Sequence, residues 1–356
     1  MPIHLDPSPL DSGPQGNTAK RKGPPLKEGF ITSARNAPTS GKEVITVIPV
    51  FNGEAYLQAT LDSLALQTRK PDRVLILDDA STDKTYELVK HFQGIRCEWH
   101  PSPTNLGLFP NLNRALEKAC ESDFFHLLLA DDLVAPDFLE VSCRALEQTR
   151  PMSFSWSDIQ WIDARGNHTR YRLRDEKRAS NKSNRKEFMI RESELNTVSV
   201  GSVMIKTGKR HLPCSFHTDL PQVADCVFYG ELASYANELI HIPRPLCKIR
   251  THATNMTHQN MQSLKAWVTD EWVAMQSVAS LIPESPIYRW IRRQKLKCLF
   301  AARSLVKEQW VRKEQPDYAA RIRKAARVRS SFPHYQAGRA AVRLRDLFKG
   351  SKQPLQ

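Results

Sequence analysis

Short β-branched runs that end in turn residues and pass into helical periodicity constrain this chain more than any other feature. Residues 44–51, Val-Ile-Thr-Val-Ile-Pro-Val-Phe, have the continuous apolar character of a strand buried on both faces. Asn52-Gly53 then turns the chain into a predicted helix with Leu57, Leu61 and Leu64 on one side. The unit repeats. Arg73 to Asp78 is a second strand, and Ser81-Thr82-Asp83 offers caps for a helix through Leu88 and Val89. A weaker strand near Arg96 to Trp99 precedes a helix carrying Leu112, Ala115, Leu116 and Ala119. Phe124 to Leu129 is a fourth strand, and Pro136-Asp137 opens the next helix. Such alternation over about a hundred residues predicts an α/β layer with a mostly parallel sheet, whose ligands bind at the carboxyl ends of the strands.

Beyond residue 150 the pattern loosens into Ser153 to Ile162, a polar loop from Arg165 to Arg185 and a strand-like Val198 to Ile205, an expected acceptor-side half with mixed strands. From Ser285-Pro286, an N-cap with proline at N1, the chain turns helical. On a wheel, Ile287, Ile291, Cys298, Ala302 and Leu305 share a face, with Arg289, Arg292, Arg293, Arg303 and Lys307 elsewhere. The expected division is a Pro-rich tail at 1–42, a domain at 43–260 in two halves meeting near 150, and a basic helical extension at 261–356.

Composition narrows the class. With 40% apolar and 25% charged residues the 356-residue chain is globular, and no stretch approaches the roughly 18 apolar residues of a membrane span. The prolines before residue 40 surround no apolar h-region, so they read as a tail and not as a secretory signal. Seven scattered cysteines, never spaced C-x-x-C, fit reduced, mostly buried thiols and a cytoplasmic location. The net charge of +14 belongs to one region: residues 286–356 hold 19 Lys/Arg against 4 Asp/Glu, so the rest is near neutral. That weakens a nucleic-acid reading of the pI.

The acids carry the chemistry. Asp78 and Asp79 end the second strand, and Asp131 and Asp132 follow the fourth. In a parallel sheet the two pairs emerge at one rim, where four carboxylates repel one another unless they hold a cation, a base or a ribose. An Asp at a strand end also serves as a turn former. Asp83, in Ser-Thr-Asp before a helix, reads as a cap first.

Val-Ile-Thr-Val-Ile-Pro-Val-Phe-Asn-Gly, Leu-Asp-Asp-Ala-Ser-Thr-Asp, Asn105-Leu-Gly107 with Asn113, and Leu-Leu-Ala-Asp-Asp-Leu-Val-Ala-Pro-Asp-Phe-Leu-Glu resemble, in order and spacing, family 2 glycosyltransferases of the GT-A fold. The resemblance implies a Rossmann-like, mostly parallel sheet flanked by helices, with transfer of one sugar from a nucleotide-sugar donor. It implies that Pro49 and Asn52 lie in the donor-binding loop, that Asp78 and Asp79 approach nucleobase and ribose, and that Asn105 belongs to the substrate-binding set. Asp131 and Asp132 would supply the DXD-type contacts to ribose and metal, with Mn²⁺ or Mg²⁺ expected. Leu129 replaces the first acid of Asp-x-Asp, which leaves open which of the two holds the metal.

The segment His217 to Ala233 is similar to the one carrying the family's catalytic base, here Asp225, with Asp219 as the alternative. An inverting transfer needs one carboxylate to take the acceptor proton. Asp225 reads equally as an acid at a helix N-terminus. Pro245 to His258 resembles the closing block, in which Arg250 would pair with diphosphate oxygens and His252 would ligate the metal. Gly201-Ser202 is placed like an acceptor-loop element.

Competing classes are poorly served. The turn after the first strand is Asn-Gly-Glu-Ala, without the dinucleotide fingerprint. Processive synthases carry Gln-x-x-Arg-Trp, whereas Pro286 precedes Arg289-Trp290, so single-sugar transfer is expected, in cell-envelope or exopolysaccharide synthesis onto a glycan or lipid-linked acceptor. The basic run from 286 to 356 has three readings: a face solvated or docked on the domain, contact with an anionic membrane at the inner face of the plasma membrane, or nucleic acid, the least favoured. A peripheral membrane or polyanion-binding protein with a decayed sugar-nucleotide site is the alternative function.

Overall fold

A computed structural model describes residues 29–30, 41–170, 181–195, 197–253, 255–256 and 260–350. Its strands are β1 (Gly29–Phe30), β2 (Val44–Val50), β3 (Arg73–Asp78), β4 (Cys97–Pro101), β5 (Phe124–Leu127), β6 (Leu133–Val134), β7 (Ser153–Ile162), β8 (His168–Arg170), β9 (Asn181–Lys182), β10 (Val203–Lys206) and β11 (Leu239–Arg250). Most of the Pro-rich segment, residues 171–180 and His258 lie outside the described residues.

Among the described residues the strands form one sheet in the order β1-β4-β3-β2-β5-β10-β7-β11-β6, with β8 beside β7 and β9 beside β11. The block β4-β3-β2-β5 is parallel, as the strand and helix repeat predicts. Past β5 the sheet is mixed, because β10 runs antiparallel to both β5 and β7 while β7 and β11 are parallel. The strand-like Val198 to Ile205 resolves into a tight turn at Val200–Ser202 followed by β10.

Alternation along the central strands builds two cores. Ile45, Val47, Leu75, Leu77, Phe125 and Leu127 face α3 (Leu108–Glu117), α5 (Arg185–Ser193) and α6 (Ala224–Tyr235). Val44, Ile48, Val50, Val74, Ile76 and Phe124 face α1 (Leu57–Ala65), α2 (Thr85–His91) and α4 (Phe138–Leu146). Burial on both faces explains why these strands read as unbroken apolar runs. Pro49 is tolerated mid-strand because pairing between β2 and β5 ends at Val47 and Leu127, so the missing N–H has no ladder partner to lose.

The C-terminal helices are α7 (Asp270–Leu281), α8 (Pro286–Val311), α9 (Pro316–Ser330) and α10 (Phe332–Gly350). They are docked on the domain. Val223, Cys226 and Val227 at the start of α6 share a core with Trp267, Met275, Val278, Leu296, Phe300, Tyr318 and Ile322. Two wheel assignments are corrected. Ile287 and Ile291 are exposed, and the buried stripe of α8 is Leu296, Phe300, Ala301, Ser304, Leu305 and Glu308. Lys307 is buried as well and Arg303 half-buried, each 2.8 Å from the Glu271 carboxylate of α7. Burial opposes the charge on Glu271, but the two cations outweigh it and hold its pKa down at about 2.

Candidate active site

The carboxyl edge of the parallel block gathers the predicted residues into two linked groups. The first is built on the turn after β2. Asn52 adopts φ 52°, a left-handed conformation that Asn reaches more easily than most residues. Its N–H donates to the Ser81 hydroxyl at 2.9 Å, and its side-chain oxygen accepts from Thr82 N–H at 2.8 Å. Asp83, one residue before the N-cap position Lys84, accepts from Glu54 N–H at 2.9 Å and from Thr85 N–H at 3.0 Å. Asn52 and Asp83 therefore stitch the loop after β2 to the loop after β3.

Asp78 and Asp79 are both buried, and backbone amides engage both carboxylates. Asp78 accepts from Ser81 N–H, and burial raises its pKa against that bond. Asp79 accepts from Leu106 and Gly107 N–H, each at 2.8 Å. The exposed Asn105 accepts from the same Gly107 N–H at 2.9 Å. Asp79, expected with Asp78 to approach nucleobase and ribose, thus shapes the 105–107 rim loop, and Asn105 stands exposed on it.

The second group joins the turn after β5 to the end of β11. Asp132 is only 1% exposed. One of its oxygens accepts from Arg250 N–H at 3.0 Å, while Oδ2 is buried without a hydrogen-bond partner. Burial, reinforced by the charge of Asp131, pushes its pKa well up. Asp131 is half-buried at the rim, with Oδ2 3.0 Å from His252 Nε2. Asn255 locks this corner by accepting from His252 N–H at 3.1 Å and donating to the Arg250 carbonyl at 2.9 Å.

Arg250 departs from its expected role. Its guanidinium donates to the backbone carbonyls of Asp131 at 2.9 Å and of Asp163 and Ala164 at 3.2 Å, and the residue is buried. It also lies 4.9 Å from the centre of the Tyr56 ring, which in turn stands 4.6 Å from the His252 imidazole. Arg250 is thus a brace for the aspartate turn and not a free fork for a diphosphate.

Asp225 sits in the first turn of α6, half-buried, accepting from Cys226 N–H at 2.8 Å. Burial raises its pKa to about 6. Asp219 is exposed, and its backbone carbonyl is held by Lys265 at 2.6 Å. Among the described residues no hydrogen bond or ion pair joins Asp225 or Asn105 to Asp131 or His252.

The donor set bears on a divalent cation. No group of three or more His, Cys, Asp or Glu side chains able to hold a metal occurs among the described residues. Mg²⁺ and related ions are commonly held by one or two carboxylates plus substrate phosphates, so a two-ligand site of Asp131 and His252 fits that chemistry. Asp132, buried and bonded to Arg250 N–H, is the less accessible acid.

Sequence reasoning missed Tyr56, Asn255 and His126. Burial lowers the His126 pKa to about 4, and Nε2–H donates to the Gly201 carbonyl at 3.0 Å. That bond ties β5 to the turn that passes under Asp132. A Cβ on Gly201 would meet Cys247 Sγ and Leu128 Cδ1 at 3.1 Å, so the position needs a small residue. Only a polar residue inside an apolar strand, His126 in Phe-Phe-His-Leu, was visible as a signal.

Residues 45–208 match the sequence model of the family described as glycosyl transferase family 2. An uncharacterized glycosyltransferase of Haemophilus influenzae is 30% identical over 123 residues, 34% of this chain and 48% of that protein. The putative glycosyltransferase EpsE of Bacillus subtilis is 31% identical over 114 residues, 31% of this chain and 41% of that protein. The matches thus span about half the length of these relatives or less. Among solved structures, S. aureus TarS 1-349 in complex with UDP-GlcNAc superposes with a TM-score of 0.58 at 16% identity, covering 85% of this chain and 92% of that one. The mannosyltransferase PcManGT of Pyrobaculum calidifontis, in complex with GDP-Man and Mn²⁺, gives a TM-score of 0.50 at 16% identity, covering 87% and 88%. At such identities the likeness establishes the fold, which is GT-A. Together with the ordered motifs and the sheet-edge site, the family match identifies residues 45–208 as a domain of glycosyl transferase family 2 on a GT-A fold.

Proposed function

We propose that the chain transfers one sugar from a nucleoside diphosphate sugar to an acceptor hydroxyl with inversion, assisted by Mn²⁺ or Mg²⁺, in the building of a cell-envelope or extracellular polysaccharide. The observation that carries this reading is the Asp131–His252 pair at the rim, braced from beneath by Arg250 and Asn255. Structures of similar fold, one in complex with UDP-GlcNAc and one with GDP-Man and Mn²⁺, support the donor class and the metal.

In this reading residues 43–150 receive the donor, 151–260 the acceptor and 261–356 form a helical extension. The Asn52 turn, with Pro49 behind it, the Ser81 turn held by Asp78 and the 105–107 loop held by Asp79 wall the nucleoside. Asp131 and His252 hold the cation, which when bound neutralises charge on the leaving diphosphate. Asp225 takes the proton of the acceptor hydroxyl as that oxygen attacks the anomeric carbon. A carboxylate with a pKa of about 6 is ionised near neutrality yet more basic than a solvated aspartate, as a general base requires. The acceptor is a glycan or a lipid-linked sugar, and the location is cytoplasmic with a peripheral association at the inner face of the membrane. The decayed-site alternative is disfavoured by the ordered bracing of Asp131 and by the internal pairing of Arg303 and Lys307.

The test is calorimetric titration with UDP, GDP, ADP, CDP and TDP, with and without Mn²⁺, on wild type, Asp131→Asn and His252→Ala. One nucleotide should bind in a Mn²⁺-dependent manner to wild type and lose that dependence in both variants. A folded wild type that binds none of them would sink the proposal.

A further inference from the structure

The first turns of α8 project beyond their packing partners. Gly338 of α10 packs against Ala301 and Ala302, where a Cβ would come within 2.9 Å, and Arg345 donates to Gln309 at 2.9 Å. α10 therefore runs parallel to α8, and its first residue, Phe332, is level with about residue 295. The burial of α8 agrees: residues 286–291 are all exposed and the buried stripe starts at Leu296. At about 1.5 Å per residue the projecting end is roughly 12 Å long.

This end carries Ile287, Tyr288, Trp290 and Ile291, each 49% to 62% exposed. At about 100° per residue the four side chains fall within roughly 160° of the helix surface, so they form one apolar face. Arg293 lies about 60° from Trp290 on the flank of this face and Arg289 on the side opposite it; both are exposed and without a carboxylate at ion-pair distance among the described residues. Six other basic side chains of the C-terminal helices pair internally. Arg292 pairs with Glu284, Lys295 with Glu194, Arg303 and Lys307 with Glu271, and Arg312 and Arg323 with Glu308.

We propose that residues 286–293 dock the protein on an anionic phospholipid surface, with Ile287 and Ile291 at the acyl boundary, Tyr288 and Trp290 at headgroup level, and Arg293 on a lipid phosphate. Amphipathic aromatics beside an unpaired cation match that interface in both polarity and charge. A two-fold pairing with a second copy would instead bring the two copies of Arg293 together at the contact. No described helix is long and apolar enough to cross a membrane, so contact at the surface is what this element can provide. The proposal stands independently of the sugar-transfer reading.

It is tested by cosedimentation of the full chain with phosphatidylcholine vesicles, with and without phosphatidylglycerol. Wild type should bind the anionic vesicles and bind neutral ones far more weakly. Arg293→Glu should lower binding at least about fivefold, since a basic side chain near an anionic leaflet contributes about fivefold. Ile287→Ser/Trp290→Ser should lower it comparably, whereas Arg321→Glu/Lys324→Glu on α9 should change it less than about threefold. Equal loss in the α9 variant would replace a docking end with diffuse polycation attraction and overturn the proposal. So would absence of wild-type binding, or a concentration-dependent dimer in sedimentation velocity that Trp290→Ser abolishes.

Discussion

Arg250 illustrates how a side chain can serve a site without facing the ligand. Its guanidinium satisfies three backbone carbonyls from two loops, and its amide holds Asp132. Lysine at this position keeps the charge but loses the planar fork. Arg250→Lys should lower stability by about 1–3 kcal/mol in urea denaturation, the range for leaving buried acceptors unpaired. It should also weaken Mn²⁺-dependent nucleotide binding by a factor that added salt barely changes. A marked salt dependence of that loss would instead support direct contact with diphosphate. For Asp225 the prediction is kinetic. A base with a pKa of about 6 acts when deprotonated, so kcat/KM should be level above neutrality and fall as pH drops through about 6. Asp225→Asn should lose about 10²–10⁴-fold in rate while nucleotide affinity stays constant; unchanged turnover would return the role to Asp219 or elsewhere.

Among the elements, α7 and α8 are joined by a buried charge cluster that no local pattern announces. Glu271 lies 32 residues before Arg303, and only the antiparallel packing of the two helices brings them to 2.8 Å. Glu271→Gln leaves two cations in the core with one weak acceptor, at a cost of about 3–5 kcal/mol. The sign of the pH effect follows from the depressed carboxylate. Its stabilisation is complete above the unfolded value of about 4.3 and is lost as pH falls toward about 2. Urea titrations between pH 5 and 2.5 should therefore show a steeper loss in wild type than in Glu271→Gln, and parallel curves would remove the cluster from the stability argument. The same helices show where periodicity misled: a wheel treats all of α8 as facing one partner, whereas its residues 286–291 are exposed and its buried stripe begins at Leu296.

At the scale of the whole molecule, the proposed boundary near residue 260 divides the chain by composition more than by packing. Val223, Cys226 and Val227 of the α6 region share their core with α7, α8 and α9. A fragment ending at residue 260 would expose that apolar surface beneath the helix that bears Asp225. It should be markedly less stable than the full chain or aggregate, as judged by urea midpoint and light scattering, while a fragment as stable as the full chain would restore the boundary. The local sequence by itself determined the parallel half of the sheet, its helices, and the edge at which Asp78, Asp79, Asp131 and Asp132 emerge. Strand period and turn chemistry act within a few residues, so they are written in order along the chain. Tertiary structure decided which acids are buried in loop contacts, that Arg250 turns inward onto carbonyls, that Tyr56 packs against His252, and which end of α8 remains exposed. Those outcomes depend on where residues distant in sequence pack and on how far one helix outruns its neighbour, and no local period encodes either quantity.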